Sequence, residues 1–363
     1  MAPKVNFRNL LLARESRGVT QKKMAEEIKN LNQGNLSKME KGLLNIPDDI
    51  LIQIAEYLDY PVSFFYKETQ NREVNSFFYR KRVTISSREL TKLEAKFDLA
   101  RMAIDELLDS VDIPEFTLPS LPLSGKLTPE DVAARIRLFL KFPKGPIDNL
   151  INVLERHGII IIMLKDVPDK FFGVTMFTNK NQPIVFINDD LSNDCKRFTI
   201  GHELGHLAMH LRAPNYEKDE KELDREADAF SSEFNMPSDE CRCDLLRLRY
   251  YDLPTIKAYW KLSKSAICYK AKSLGMLSDS QYKYFMMQLS SSGQRKKESE
   301  YVDLDEPELL NKMIDVHLSE LGYSMNELSD IVGLSSMDID DILRTQNKDD
   351  LVRPKLRVLR NWA

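Results

Sequence analysis

Cysteine, histidine, long apolar runs and charge of one sign are all scarce in this chain of 363 residues. Each scarcity excludes a class of protein. Four cysteines (Cys195, Cys241, Cys243, Cys268) are too few for a disulfide scaffold at this length. Cys241 and Cys243 also lack the second pair that would complete a zinc knuckle, so reduced thiols in a cytoplasm are expected. No apolar run approaches the roughly 20 residues that span a bilayer. The first residues, Met1 to Asn6, lack the apolar core of a secretory signal. With 52 basic against 56 acidic residues, the net charge of -4 excludes a nucleic-acid coat. A single DNA-binding domain within the chain remains compatible with it. The length predicts two or three domains with a sizeable core.

Only five histidines are present, yet His202, His206 and His210 lie within one short stretch. That stretch contains His202-Glu203-Leu204-Gly205-His206 and has the pattern of a buried helix. Residues four apart share a helix face, so His202 and His206 can offer imidazole nitrogens to one metal ion. Glu203 then stands where a general base is needed beside a water acidified by zinc. A catalytic zinc takes a third protein ligand, and residues 222–237 are the natural place to seek it. They form an acidic, helix-patterned run stopped by Met236-Pro237. Within it Asp224 and Asp228 share one face, and Glu222 shares another with Glu226. His210 continues the face of His206 one turn on and is expected to pack or to support a ligand.

These two motifs in this order resemble the ImmA/IrrE family of zinc metallopeptidases. That family couples H-E-x-x-H to a downstream helix E-x-x-A-[N/D/S]-x-F-A ending near M-P. Laid on the pattern, Asp224 stands where the family has its ligand glutamate, and Asp228 stands where a carboxylate orients a ligating imidazole. Aspartate is one methylene shorter, so the two helices must come closer, or Glu226 must take the metal instead, or zinc is held weakly. The resemblance implies a zincin-like metallopeptidase with Zn2+ as cofactor and a protein substrate.

Residues 6–66 have the rhythm of a compact helical unit. Thr20 caps a helix over residues 21–28, and the run Gln33-Gly34-Asn35-Leu36-Ser37-Lys38-Met39-Glu40-Lys41-Gly42 starts the next. Residues 48–58 and 62–65 supply two more. With T-Q opening one helix and Q-x-x-[I/L]-S-x-[M/I]-E-x-G spanning the next, the unit resembles the Cro/Xre class of helix-turn-helix. The resemblance implies that Gln33, Asn35, Ser37 and Lys38 enter the major groove of an operator and that Gln21 anchors a phosphate. Leu36, Met39 and Ala25 are core in any reading.

The expected architecture is mainly α with a small sheet (α+β). It comprises a five-helix DNA-binding domain (1–66), a connecting helix and linker (67–125), the peptidase unit (126–287), and a linker with a C-terminal helical module (288–363). In the connecting segment, Leu90, Leu93, Phe97, Ala100, Ile104 and Leu107 form an amphipathic stripe that serves core packing or a dimer contact. The aromatic–basic run from Phe77 to Arg82 could touch phosphate or simply be solvated. Residues 158–164 form a buried strand, and 172–177 with 183–188 a hairpin pair. One helical segment is expected across 260–267, and a polar linker at 290–297. Ser324-Met325-Asn326-Glu327 caps a helix that Gly333 ends, and another starts at Ser335. Asp338, Asp340 and Asp341 would face phosphate there, so this module is read as a protein-contact unit. The functional expectation is a homodimeric regulator on double-stranded DNA whose protease cleaves a Cro/Xre-type repressor on a stress, phage or toxin–antitoxin cue. The competing expectation is a non-catalytic transcription factor or antitoxin whose zincin-like domain is a sensor.

Overall fold

The computed structural model describes residues 4–68, 85–212, 219–295 and 297–344. The run from Phe77 to Arg82 lies outside them. The N-terminal unit comprises α1 (Phe7–Ser16), α2 (Gln21–Glu27), α3 (Gln33–Glu40) and α4 (Asp48–Leu58), with a 3-10 turn at Val62–Tyr66 in place of a fifth α-helix. Short polar residues start each of the first three. Asn6 accepts from Arg8 N at 3.1 Å, Thr20 from Lys23 N at 3.2 Å, and Asn32 from Asn35 N at 2.8 Å. Asn30, left-handed at φ 63°, makes the turn between α2 and α3. Leu10, Met24, Leu36, Met39, Ile54 and Phe65 close the unit from within.

The helix α5 (Ser87–Leu107) begins with a reciprocal capping box between Ser86 and Glu89. Its stripe is intramolecular core. Leu93, Phe97, Ala100, Ile104 and Leu107 are buried, while Leu90 is half-buried. Phe97 meets Phe186 and Phe171 with ring centroids 4.8 and 5.5 Å apart, and Arg88 donates to Gly18 O at 2.7 Å. The helix therefore joins the N-terminal unit to the sheet.

After α6 (Pro129–Phe139) and α7 (Leu150–Arg156) comes a sheet of β1 (Ile160–Leu164), β2 (Gly173–Phe177) and β3 (Pro183–Asn188), in the order β1-β3-β2. β1 runs parallel to β3 and β2 antiparallel to it. Successive strand side chains point to opposite faces, and here both faces are covered. Ile160, Ile162, Val174, Ile184 and Phe186 join the core that holds Leu10 and Phe97. Ile161, Met163, Val185 and Ile187 face a second core with α6 and α7, to which Leu118 also belongs. The sheet is thus the wall between the N-terminal unit and the side where α8 (Asn193–Met209) and α9 (Glu220–Asn235) pack.

A third core holds α10 (Ser238–Leu245), α11 (Leu253–Trp260), α12 (Lys264–Ser273) and α13 (Asp279–Ser291). The single helical segment expected over 260–267 is broken: Lys261 is left-handed at φ 58° and Ser263 caps a new helix. Apolar spacing runs unbroken through the joint, which hides it. The expected linker at 290–297 is partly the end of α13, and Gln294 accepts from Lys264 Nζ at 2.6 Å.

The C-terminal module has α14 (Leu309–Asp315), α15 (Met325–Val332) and α16 (Ser336–Asp338), the last continuing as a π-helical turn at Ile339–Leu343. The Ser324–Glu327 box and Gly333 at φ 75° bound α15. Its contact is with its own chain. Leu310, Ile314, Leu328, Ile339 and Leu343 share the core of the N-terminal unit. Arg17 grips both carboxylate oxygens of Asp338 at 2.6 Å and donates to Leu58 O at 2.7 Å. Ser63 donates to Asp330 Oδ1 at 2.9 Å, and Lys67 to Ile331 O at 2.6 Å. On the other side the Glu155 carboxylate accepts Glu308 N and Leu309 N at 3.0 and 3.1 Å. No described helix is long and apolar enough to cross a membrane.

Candidate metal centre

Polar residues seldom fill a buried helix, because each desolvated group needs a partner. Yet α8 buries His202, Glu203 and His206 at 0% exposure. Two glycines let α9 come close enough to serve them. A Cβ on Gly201 would lie 2.6 Å from Ser231 Oγ, and one on Gly205 would lie 3.0 Å from the Phe230 ring. With no side chain at either position, the helix axes approach and the short Asp224 reaches across.

Among the described residues, His202, His206 and Asp224 form the group of metal-ligating side chains whose donor atoms all lie within 4.8 Å of one another. His202 Nε2 and His206 Nε2 are 3.0 Å apart, and Asp224 Oδ1 stands 3.9 and 3.7 Å from them. Zinc with tetrahedral bonds of about 2.0–2.1 Å sets its ligands about 3.3–3.4 Å apart. The observed triangle straddles that value, so the donor set fits such an ion with small adjustments. Glu226 is turned elsewhere.

Each imidazole is held from behind. His202 Nδ1 meets Asp228 Oδ1 at 2.9 Å. His206 Nδ1 meets His210 Nδ1 at 2.9 Å, and His210 Nε2 meets Glu226 Oε2 at 3.2 Å. Burial pushes His206 down to about 4, with Asp224 opposing the shift, so this imidazole is neutral at neutral pH as a ligand must be. From β2, Thr175 Oγ1 donates to Glu203 Oε2 at 2.7 Å. Sequence reasoning missed Thr175. Its signal was a lone hydroxyl in the apolar strand Gly173–Phe177, which becomes meaningful once the strand is known to cross α8.

On the DNA-binding side, Gln33 and Lys38 are exposed on α3, and Asn35 and Ser37 are half-buried. Gln21 is occupied: its amide donates to Glu40 Oε2 at 2.7 Å, beside the Arg14–Glu40 pair at 2.5 Å. Its backbone opens α2, but the side chain braces two helices instead of reaching outward.

Comparison with known proteins agrees with both regions. Residues 154–272 match the model of the IrrE N-terminal-like domain, a metallopeptidase-type family, and residues 10–65 match a helix-turn-helix model. No curated protein matches the chain. The chain therefore carries an N-terminal region similar to helix-turn-helix units and a central region similar to the IrrE N-terminal-like domain.

Proposed function

We propose that this protein is a DNA-binding transcriptional regulator that cleaves a repressor with a zinc-dependent peptidase site, in response to stress, phage or a toxin–antitoxin cue. The observation that carries the reading is the convergence of His202, His206 and Asp224 beside Glu203. Zinc held by the two Nε2 atoms and the Asp224 carboxylate would polarise a peptide carbonyl and acidify a water. Glu203 would take the proton of the attacking water and return it to the amine of the departing peptide. Thr175 fixes one Glu203 oxygen, so that the carboxylate keeps one orientation through both transfers. Asp228 holds the His202 ring.

The substrate is a Cro/Xre-type repressor, either a separate protein or the 1–66 unit of another copy. Cleavage within one chain is disfavoured because the N-terminal unit shares its core with α5, the sheet and the C-terminal module. On DNA the protein acts as a homodimer on a pseudo-palindrome, read by Gln33, Asn35, Ser37 and Lys38, with the backbone N–H of Gln21 at the start of α2, and not its occupied side chain, at a phosphate. A cytoplasmic location follows from this role. Complete burial of Glu203 favours a second reading, in which the site is closed and the domain works as a non-catalytic sensor.

The experiment compares wild type with Glu203→Gln in stressed cells, following this protein and its Cro/Xre-type partners by mass spectrometry, with metal content measured on both purified proteins. The expected result is equal zinc, with repressor fragments in wild type only. Identical fragments and identical gene induction would leave the sensor.

A further inference from the structure

We propose that His210 is a positioning residue, which relays the Glu226 carboxylate to His206 and so fixes the face that His206 turns to the metal. The inference rests on the zinc reading above. The two imidazoles are supported unequally. His202 has a carboxylate directly behind it, Asp228 at 2.9 Å, whereas behind His206 stands another imidazole and the carboxylate comes one residue later.

Proton counting sets the direction of this chain. His206 presents Nε2 toward His202 Nε2 and Asp224 Oδ1, so a metal placed among them needs the Nε2 lone pair. A neutral imidazole carries one proton, which then sits on His206 Nδ1. That atom lies 2.9 Å from His210 Nδ1, which must accept. The proton of His210 is then on Nε2, 3.2 Å from Glu226 Oε2, and the carboxylate accepts it. One tautomer of each ring satisfies both the Nδ1–Nδ1 contact and the contact to Glu226. Without Glu226, His210 could equally carry its proton on Nδ1. It would then oppose the His206 N–H, and His206 would be driven to the tautomer whose Nε2 binds no metal.

The arrangement also separates His210 from the ligands. It faces the Nδ1 edge of His206, and a metal on Nε2 lies beyond the opposite edge. The two rings are buried, His206 at 0% and His210 at 3% exposure, and the path reaches partial exposure only at the Glu226 side chain, 15%. Side chains that support metal-binding histidines in this way are worth about 10- to 100-fold in metal affinity.

The test measures zinc affinity by chelator competition on the full chain for wild type, His210→Phe, His210→Gln and Glu226→Gln. Phe keeps the ring and removes the acceptor. Gln can accept from His206 and donate to Glu226 through its amide. We expect His210→Phe to weaken zinc about 10- to 100-fold and His210→Gln to recover most of the loss, with Glu226→Gln in between. Nitrogen NMR of the histidines in zinc-loaded wild type should show His206 protonated on Nδ1 and His210 on Nε2, which decides the matter even if a variant does not fold. His210→Phe with wild-type affinity, or His210 protonated on Nδ1, overturns the proposal while the zinc reading stands. A wild-type protein that takes up no zinc overturns both.

Discussion

The helices α3 and α8 both carry runs of polar side chains, but the first leaves them in water and the second removes them from it. Gln33 and Lys38 are exposed, whereas His202, Glu203 and His206 are at 0%. Water satisfies an exposed amide or ammonium, so Gln33 and Lys38 call for no protein neighbours, and in α3 only the buried Glu40 at its end gathers Arg14 and Gln21. A buried imidazole must be satisfied by protein. The histidines of α8 accordingly organise a surrounding shell: Asp228 and Glu226 from α9, His210 from their own turn, and Thr175 from β2 for Glu203. Loss of a group on α8 should propagate, and loss of one on α3 should stay local.

The sharpest way to break the contrast is His206→Ala. Stoichiometric zinc should be lost, as read by metal analysis, while a DNA footprint by residues 1–68 stays unchanged. Asp224→Ala should lower zinc strongly. Full zinc in that variant, with loss in Glu226→Ala, would transfer the ligand role to Glu226.

A smaller effect is expected at the joint between the N-terminal unit and the C-terminal module. Asp338→Ala removes two charge-assisted bonds to Arg17 and should destabilise the protein by about 2–3 kcal/mol in denaturant unfolding. Zinc content should not change. A cost below about 0.5 kcal/mol would mean that the pair behaves as a surface ion pair.

On α3, Gln33→Ala should cost about 1–3 kcal/mol at one base position and nothing in stability. Lys38→Ala should weaken all sequences alike. Equal loss on every duplex for Gln33→Ala would show that Gln33 positions the helix and does not read a base.

The mildest test uses pH. Burial holds the Glu155 carboxyl at about 7, against an ordinary 4.5, where it caps the start of α14. The fold therefore binds this proton more tightly than the unfolded chain does. The group weakens the protein as pH rises from 4.5 through about 7 and carries its full penalty above that. Glu155→Gln should flatten this part of the melting-temperature profile. An unchanged slope would place the pH sensitivity elsewhere.

The same contrast explains what the sequence reveals. H-E-x-x-H is local and periodic, so the shared helix face of His202 and His206, with Glu203 beside them, can be read from spacing alone. That Asp224, and not Glu226, converges on the two histidines depends on the approach of the helices that Gly201 and Gly205 permit. The route through His210 depends on ring orientation, which spacing leaves open. Least legible is the joint at Asp338. An acidic run resembles a solvated surface, and its partner Arg17 is 321 residues away.

That separation has a consequence in time. A ribosome adding about 5–20 residues per second completes the N-terminal unit on the order of 15–60 s before Asp338 exists. Throughout that interval Arg17, Ser63 and Lys67 lack their partners in the C-terminal module. Each nascent chain thus passes through a stage in which its DNA-reading end is finished and its clasp is not, while it is still tethered to its own message.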